Sequence, residues 1–196
     1  NKASVLIRLE KFEDAIKCCD EALKIDPILL PALFLKVRTL QTIEKFEESM
    51  ESLDKVLELE PENDEAWFLR GISMEYLNKP EEALQSFNSA LEIDPKNIGA
   101  WYFKGRSLMF LGKTEEAIKC FEMVTLMDPE NYEAFLLMGI MLLELEKYKE
   151  ALESFENVLK LKPDNEDALI KKGQSLGFLE EPEEALKCFN EALMIN

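Results

Sequence analysis

The chain has 196 residues, 47% of them hydrophobic and 32% charged, with 7 Gly, 8 Pro and no histidine. That composition fits a soluble helical scaffold, and the missing imidazole removes Ser-His and Cys-His catalysis, imidazole-based metal sites and the commonest general base. With 40 Asp and Glu against 23 Lys and Arg the net charge is −17, the wrong sign for a phosphate backbone.

No apolar run reaches the roughly 18 residues of a membrane span, and no positively charged start followed by an apolar core marks a signal peptide. A cytoplasmic, non-enzymatic protein is expected, without cofactor or metal and without nucleic-acid or membrane partners. Most carboxylates stand in runs such as Glu81-Glu82, Glu115-Glu116 and Glu183-Glu184. They read as solvated starts of helices, where negative charge suits the helix dipole, and they also permit attraction to a basic partner.

Prolines pace the chain: Pro27, Pro61, Pro95, Pro129 and Pro163 each stand 34 residues from the next. A fixed period of that size means stacked supersecondary units forming one array. Residues 1–29 read as a partial unit, followed by units over 30–63, 64–97, 98–131, 132–165 and 166–196. The register puts Asn1 partway through a first helix and Asn196 near the end of a second, so the chain is expected to be cut from a longer array.

Within residues 64–97, Ala66, Trp67, Arg70, Gly71 and Met74 step by three and four, as one helix face does. A break over Leu77 to Pro80 follows, with Pro80 suited to the first turn of the next helix. That helix carries Ala83, Leu84, Phe87, Ala90 and Leu91 and stops before Pro95, because a residue preceding proline disfavours helix. Asn63, Asn97, Asn131 and Asn165 stand where N-caps are wanted.

The same columns recur. Trp67, Trp101, Phe135 and Leu169 share one, and Gly71, Gly105, Gly139 and Gly173 another. A third holds Ala83, Ala117, Ala151 and Ala185, and a fourth Phe87, Phe121, Phe155 and Phe189. Glycine within a helix costs about 1 kcal/mol relative to alanine, so the glycine column predicts a close approach of two helices, with the alanine column as the facing surface. Cys18, Cys120 and Cys188 share a column with Ser52, Ser86 and Ser154, and no CxxC pair occurs among these and Cys19. That column is expected to pack a small side chain.

Tryptophan, glycine, alanine, aromatic, alanine and proline in that order, as in 64–97, resemble the tetratricopeptide repeat (TPR) family along the whole chain. The resemblance implies an all-α fold, a right-handed superhelical α-solenoid of antiparallel helix pairs, whose first helices line a concave groove that binds proteins or peptides. Carried onto this sequence, the groove columns hold Phe34, Phe68, Tyr102, Leu136 and Ile170; Leu35, Leu69, Phe103, Leu137 and Lys171; and Arg38, Ile72, Arg106, Ile140 and Gln174. Tyr76, Met109, Phe110, Leu143 and Phe178 lie a turn further along.

Some TPR modules grip the C-terminus of chaperone tails with a clamp of Lys, Asn and Arg. The matching positions here are Phe34, Arg38, Leu69, Gly99 and Phe103, or Phe68, Ile72, Phe103, Glu133 and Leu137 one unit on. Neither set reproduces the clamp. The expected partner is therefore an apolar or amphipathic segment, with Arg38 and Arg106 able to anchor acidic groups on the rim. Some of these aromatics are open to a second reading as packing between helices. Self-assembly into homo-oligomers, or service as the non-catalytic array of a larger enzyme, are the alternative functions.

One unit departs from the pattern. Leu33 replaces the tryptophan, Val37 the glycine and Ser49 the alanine, and the turn before it reads Asp26-Pro27-Ile28-Leu29-Leu30-Pro31. Looser packing, or burial of the turn under a neighbouring unit, is expected; a secondary contact site is the alternative, and burial of Ile28 and Leu29 would rule it out.

Overall fold

An asparagine opens a helix every 34 residues. The Oδ1 atoms of Asn63, Asn97, Asn131 and Asn165 accept from the N–H groups of Ala66, Ala100, Ala134 and Ala168 at 2.9, 2.9, 3.0 and 2.8 Å, each satisfying one of the donors that a helix start leaves unpaired. The structure, a computed structural model, describes residues 2–195. Asn1 and Asn196, to which the register assigned places in a first and a last helix, lie outside them.

Twelve α-helices and no strand occur among the described residues. In chain order they are α1 (Lys2–Arg8), α2 (Phe12–Ile25), α3 (Leu30–Thr42), α4 (Phe46–Leu59), α5 (Asp64–Tyr76), α6 (Pro80–Ile93), α7 (Ile98–Phe110), α8 (Thr114–Met127), α9 (Tyr132–Glu144), α10 (Tyr148–Leu161), α11 (Glu166–Phe178) and α12 (Pro182–Ile195). Pro80 opens α6, where its missing N–H has no partner to lose. None of the helices is long and apolar enough to cross a membrane.

Each pair turns through one left-handed residue, at Glu10, Glu44, Asn78, Gly112, Glu146 and Glu180, with φ of 56, 59, 58, 70, 59 and 62°. The next N–H closes back onto the helix, as Lys45 N–H does to Leu40 C=O at 2.8 Å and Lys79 N–H to Met74 C=O at 2.9 Å, a Schellman ending. Only one of the six is glycine, although L-residues pay for this conformation. Glu44→Gly is therefore expected to raise stability by about 0.5–1 kcal/mol, read as a higher denaturation midpoint at unchanged m-value.

The chain divides into two compact units between Phe103 and Lys104. In the first, α1 and α2, α3 and α4, and α5 and α6 pack as antiparallel pairs, and α2 meets α3 as α4 meets α5. The Pro and Trp columns meet here too, because Trp67 Nε1–H donates to the Pro61 carbonyl at 2.8 Å and Trp101 Nε1–H to that of Pro95 at 2.9 Å.

The glycine column has a different cause from the one its spacing suggested. A Cβ on Gly71 would stand 2.4 Å from Cε1 of Phe87, so the facing surface is the phenylalanine ring, not the alanine column. In α3 and α4 the sizes are exchanged. Val37 replaces glycine and Leu53 replaces phenylalanine, and both are fully buried. In α1 and α2 the pair is Ala3 and Cys19, again buried together. The volume one helix gives up, the other supplies, which is what close packing demands.

The divergent pair is accordingly well packed rather than loose. Ser49 Oγ donates to the Phe46 carbonyl at 2.7 Å and lies 2.9 Å from Ser73 Oγ, while Gln41 Nε2 donates to Ser73 Oγ and to the Leu69 carbonyl, both at 2.8 Å. The turn before it is not buried, since Ile28 is 62% and Leu29 36% exposed. Asp26, Pro27 and Pro31 are exposed with them, so the secondary-contact reading stands.

In the second unit α9 and α10, and α11 and α12, form antiparallel pairs, with α8 against α9 and α10 against α11. Cβ atoms on Gly105, Gly139 and Gly173 would meet the rings of Phe121, Phe155 and Phe189 at 2.8, 2.6 and 2.7 Å. One lock thus recurs along this unit as well.

Candidate partner-docking face

In the first unit, the first helices of the pairs bring an aromatic patch together. Phe68 on α5 meets Phe103 on α7 edge-on, ring centroids 5.9 Å apart, and Tyr102 stands edge-on to Phe103 at 5.6 Å. Beneath them Phe87 lies 6.2 Å from Phe68 and 6.0 Å from Phe103. Gly99 makes room for this arrangement, because a Cβ there would fall 2.9 Å from Cζ of Phe68. Phe68, Ile72, Tyr102 and Phe103 are half-buried, each keeping part of its apolar surface toward water.

Beside the patch, Arg38, Gln41, Thr42, Glu44, Phe46, Ile72 and Tyr76 line an open pocket of about 420 Å³. Tyr76 stacks face to face on Phe46, centroids 4.5 Å apart and planes 4° from parallel, yet stays 58% exposed. Arg38 pairs with Glu65 on the next first helix. Its cation is therefore already met within the chain and is not a bare anchor.

The remaining expected groove residues of this unit divide. Phe34 is half-buried against the cluster of Leu33, Val37, Leu53, Val56 and Ala66, and Leu35 against Ala3, Ala15 and Cys19. Leu69 is only 8% exposed and belongs to the first of those clusters. One residue beyond Phe68, its side chain turns by about 100° around α5 and so reaches the preceding pair rather than the face.

In the second unit, Met109 and Ile140 pack with Leu136 and Leu143 on the core of Ile118, Met141, Leu142, Ala151 and Phe155. Arg106, Leu137, Ile170 and Lys171 are half-buried, and Gln174 is exposed. Lys171 Nζ donates to Gln174 Oε1 at 3.3 Å. Phe110 is 69% exposed. Phe178 stacks on Tyr148 at 4.6 Å, with planes 12° apart, repeating the Phe46–Tyr76 contact three periods on. Sequence reasoning missed Gln41 and Phe46. The column shared by Phe12, Phe46 and Tyr148 was a signal for the second; for Gln41 there was none.

The cysteines behave as packing residues. Cys19, Cys120 and Cys188 are buried and no disulfide forms. Burial pushes the Cys120 thiol up to about 11, against the pull of Lys104. A thiol raised in the fold holds its proton where the unfolded chain has released it. Its contribution to stability is thus complete below about pH 9 and lost as pH climbs toward 11. Cys120 is expected to resist alkylation at pH 8 until the chain unfolds, which mass spectrometry with and without denaturant would read.

Profiles of protein families match the sequence over nearly its whole length. That of the cytochrome c-type biogenesis protein H TPR domain covers residues 31–169, and that of the tetratricopeptide repeat covers 1–28 and 166–196. The chain belongs to the tetratricopeptide repeat family. No curated protein matches it.

Solved TPR structures share the fold at low identity. YrrB, described as a TPR protein with an unusual peptide-binding site, superposes with a TM-score of 0.81 at 22% identity over 91% of this chain and 92% of its own. MamA gives 0.77 at 21% identity, over 81% and 93%. MamA from Desulfovibrio magneticus RS-1 gives 0.79 at 19%, over 85% and 94%. At these identities the TPR relatives speak for the fold alone.

Proposed function

We propose that this protein is a non-catalytic, cytoplasmic protein-interaction module, a single array over residues 1–196 whose first helices dock an apolar or amphipathic segment of a partner. The observation that carries the reading is the half-exposed cluster of Phe68, Ile72, Tyr102 and Phe103, in which Phe68, Ile72 and Phe103 stand at positions matching the polar clamp of chaperone-tail receptors. A patch of this kind is costly to leave in water, and the roughly 25 cal/mol gained per Å² covered rewards a partner that buries it. The peptide-binding site ascribed to YrrB adds an analogy and no residue assignment. Arg106, Met109, Phe110, Leu137, Ile140, Lys171 and Gln174 extend the assignment to the second unit.

Selection of binders from a random peptide library tests it. Enriched peptides should carry apolar residues at helical spacing, and the double variant Tyr76→Ser/Tyr102→Ser should weaken them about tenfold, near 1.4 kcal/mol. Peptides without apolar residues, or binding indifferent to that variant, would overturn the assignment. Self-association is the second reading, favoured by the exposed Leu186, Leu193 and Met194 of α12. A mass of 22.6 kDa in light scattering at every concentration would exclude it.

A further inference from the structure

We infer that the segment docking on the first unit is basic as well as amphipathic, its apolar side on Phe68, Ile72 and Tyr102 and its lysines or arginines facing carboxylates at the two edges of that face. The inference rests on the docking reading above and names the chemistry of the occupant. Three observations carry it.

The stretch of α7 that contributes to the patch is uncharged, since residues 98–103 read Ile-Gly-Ala-Trp-Tyr-Phe. The cation beside it, Arg38, is held by Glu65 and does not offset the carboxylates around it. The edges are acidic: each first helix begins in one row of turns and ends in the other, and both rows lean the same way. Residues 60–65 carry four carboxylates and no cation; Glu65 is the one that holds Arg38, which leaves Glu60, Glu62 and Asp64. Residues 44–48 carry three glutamates and one lysine, and that Lys45 is 3.3 Å from Glu48, which leaves Glu44 and Glu47. Residues 2–103 together hold 12 Lys and Arg and 21 Asp and Glu, and 12 − 21 leaves −9. An acidic segment would be repelled on approach, whereas a basic one is steered in and meets unneutralised charge at both rims.

Two helical peptides with identical leucine positions, one with a lysine polar face and one with a glutamate polar face, give the test by fluorescence titration against the whole chain. At about 0.01 M salt, where charges act over about 30 Å, the lysine peptide should bind at least about tenfold tighter. The ratio should contract severalfold at about 0.1 M, where the range falls to about 10 Å. Equal affinities would overturn the basic assignment and leave the docking reading standing. Failure of both peptides would overturn the two together. Binding of the lysine peptide that Tyr76→Ser/Tyr102→Ser leaves unchanged, with the fold verified by circular dichroism, is diffuse attraction to an acidic surface and also contradicts the inference.

Discussion

Gly71→Ala is expected to destabilise the protein by about 1–3 kcal/mol, although alanine is the better helix former by about 1 kcal/mol. The added methyl would lie 2.4 Å from Cε1 of Phe87, a ring that is fully buried. The ring therefore cannot swing clear without displacing Met74 and Ala83, its neighbours in the cluster. Pairing the change with Phe87→Leu should recover most of the loss, because the chain already uses the larger-with-smaller combination at Val37 and Leu53. Urea titrations of the two single variants and the double close the cycle. A strongly favourable interaction energy is predicted, and additive effects would mean that the glycine column has another cause.

The opposite change, removing the ring, should cost more. Phe155 is fully buried beside Met141, Leu142, Ala151 and Ile118, and its ring covers Gly139, where no side chain can reach in to fill the space. Phe155→Ala is expected to lose about 3–5 kcal/mol, the range for truncating a core phenylalanine. Collapse around the cavity is limited because the facing residue is already the smallest possible. A loss below about 1.5 kcal/mol in the same titration would show that the helices close up without the ring, and the lock would then be dispensable.

Features governed by local rules were legible in the sequence. The four asparagine caps, Pro80 at the head of α6 and the turn at Asn78 follow from chain neighbours a few residues away. Features that depend on what lies across a helix interface were less so. Spacing pointed to Gly71 as a close approach but could not choose between Ala83 and Phe87 as the residue opposite, since both lie on the inward side of α6. Leu69 shares its helix with Phe68, and only the position of the preceding pair decides that one is buried and the other half-exposed. Val37 and Ser49 read as losses of pattern when taken singly. They make sense only with Leu53 and with the Gln41–Ser73 hydrogen bonds, partners 16 and 24 residues or more away in the chain. For the apolar turn at Ile28 and Leu29 the sequence left looser packing, burial under a neighbouring unit and a contact site open; the turn is exposed, and nothing among the described residues covers it.

That turn is also the competing surface for any apolar partner, so the measurement that tests the docking assignment most directly is photo-crosslinking of a library-selected peptide carrying a benzophenone, with the labelled residues located by mass spectrometry. Labels on the first helices, at or beside Phe68, Ile72, Tyr76 and Tyr102, are the predicted result. Labels concentrated on Ile25 to Leu29, or on the outer faces of α4 and α6, would contradict it and move the binding surface to the turn or to the second helices.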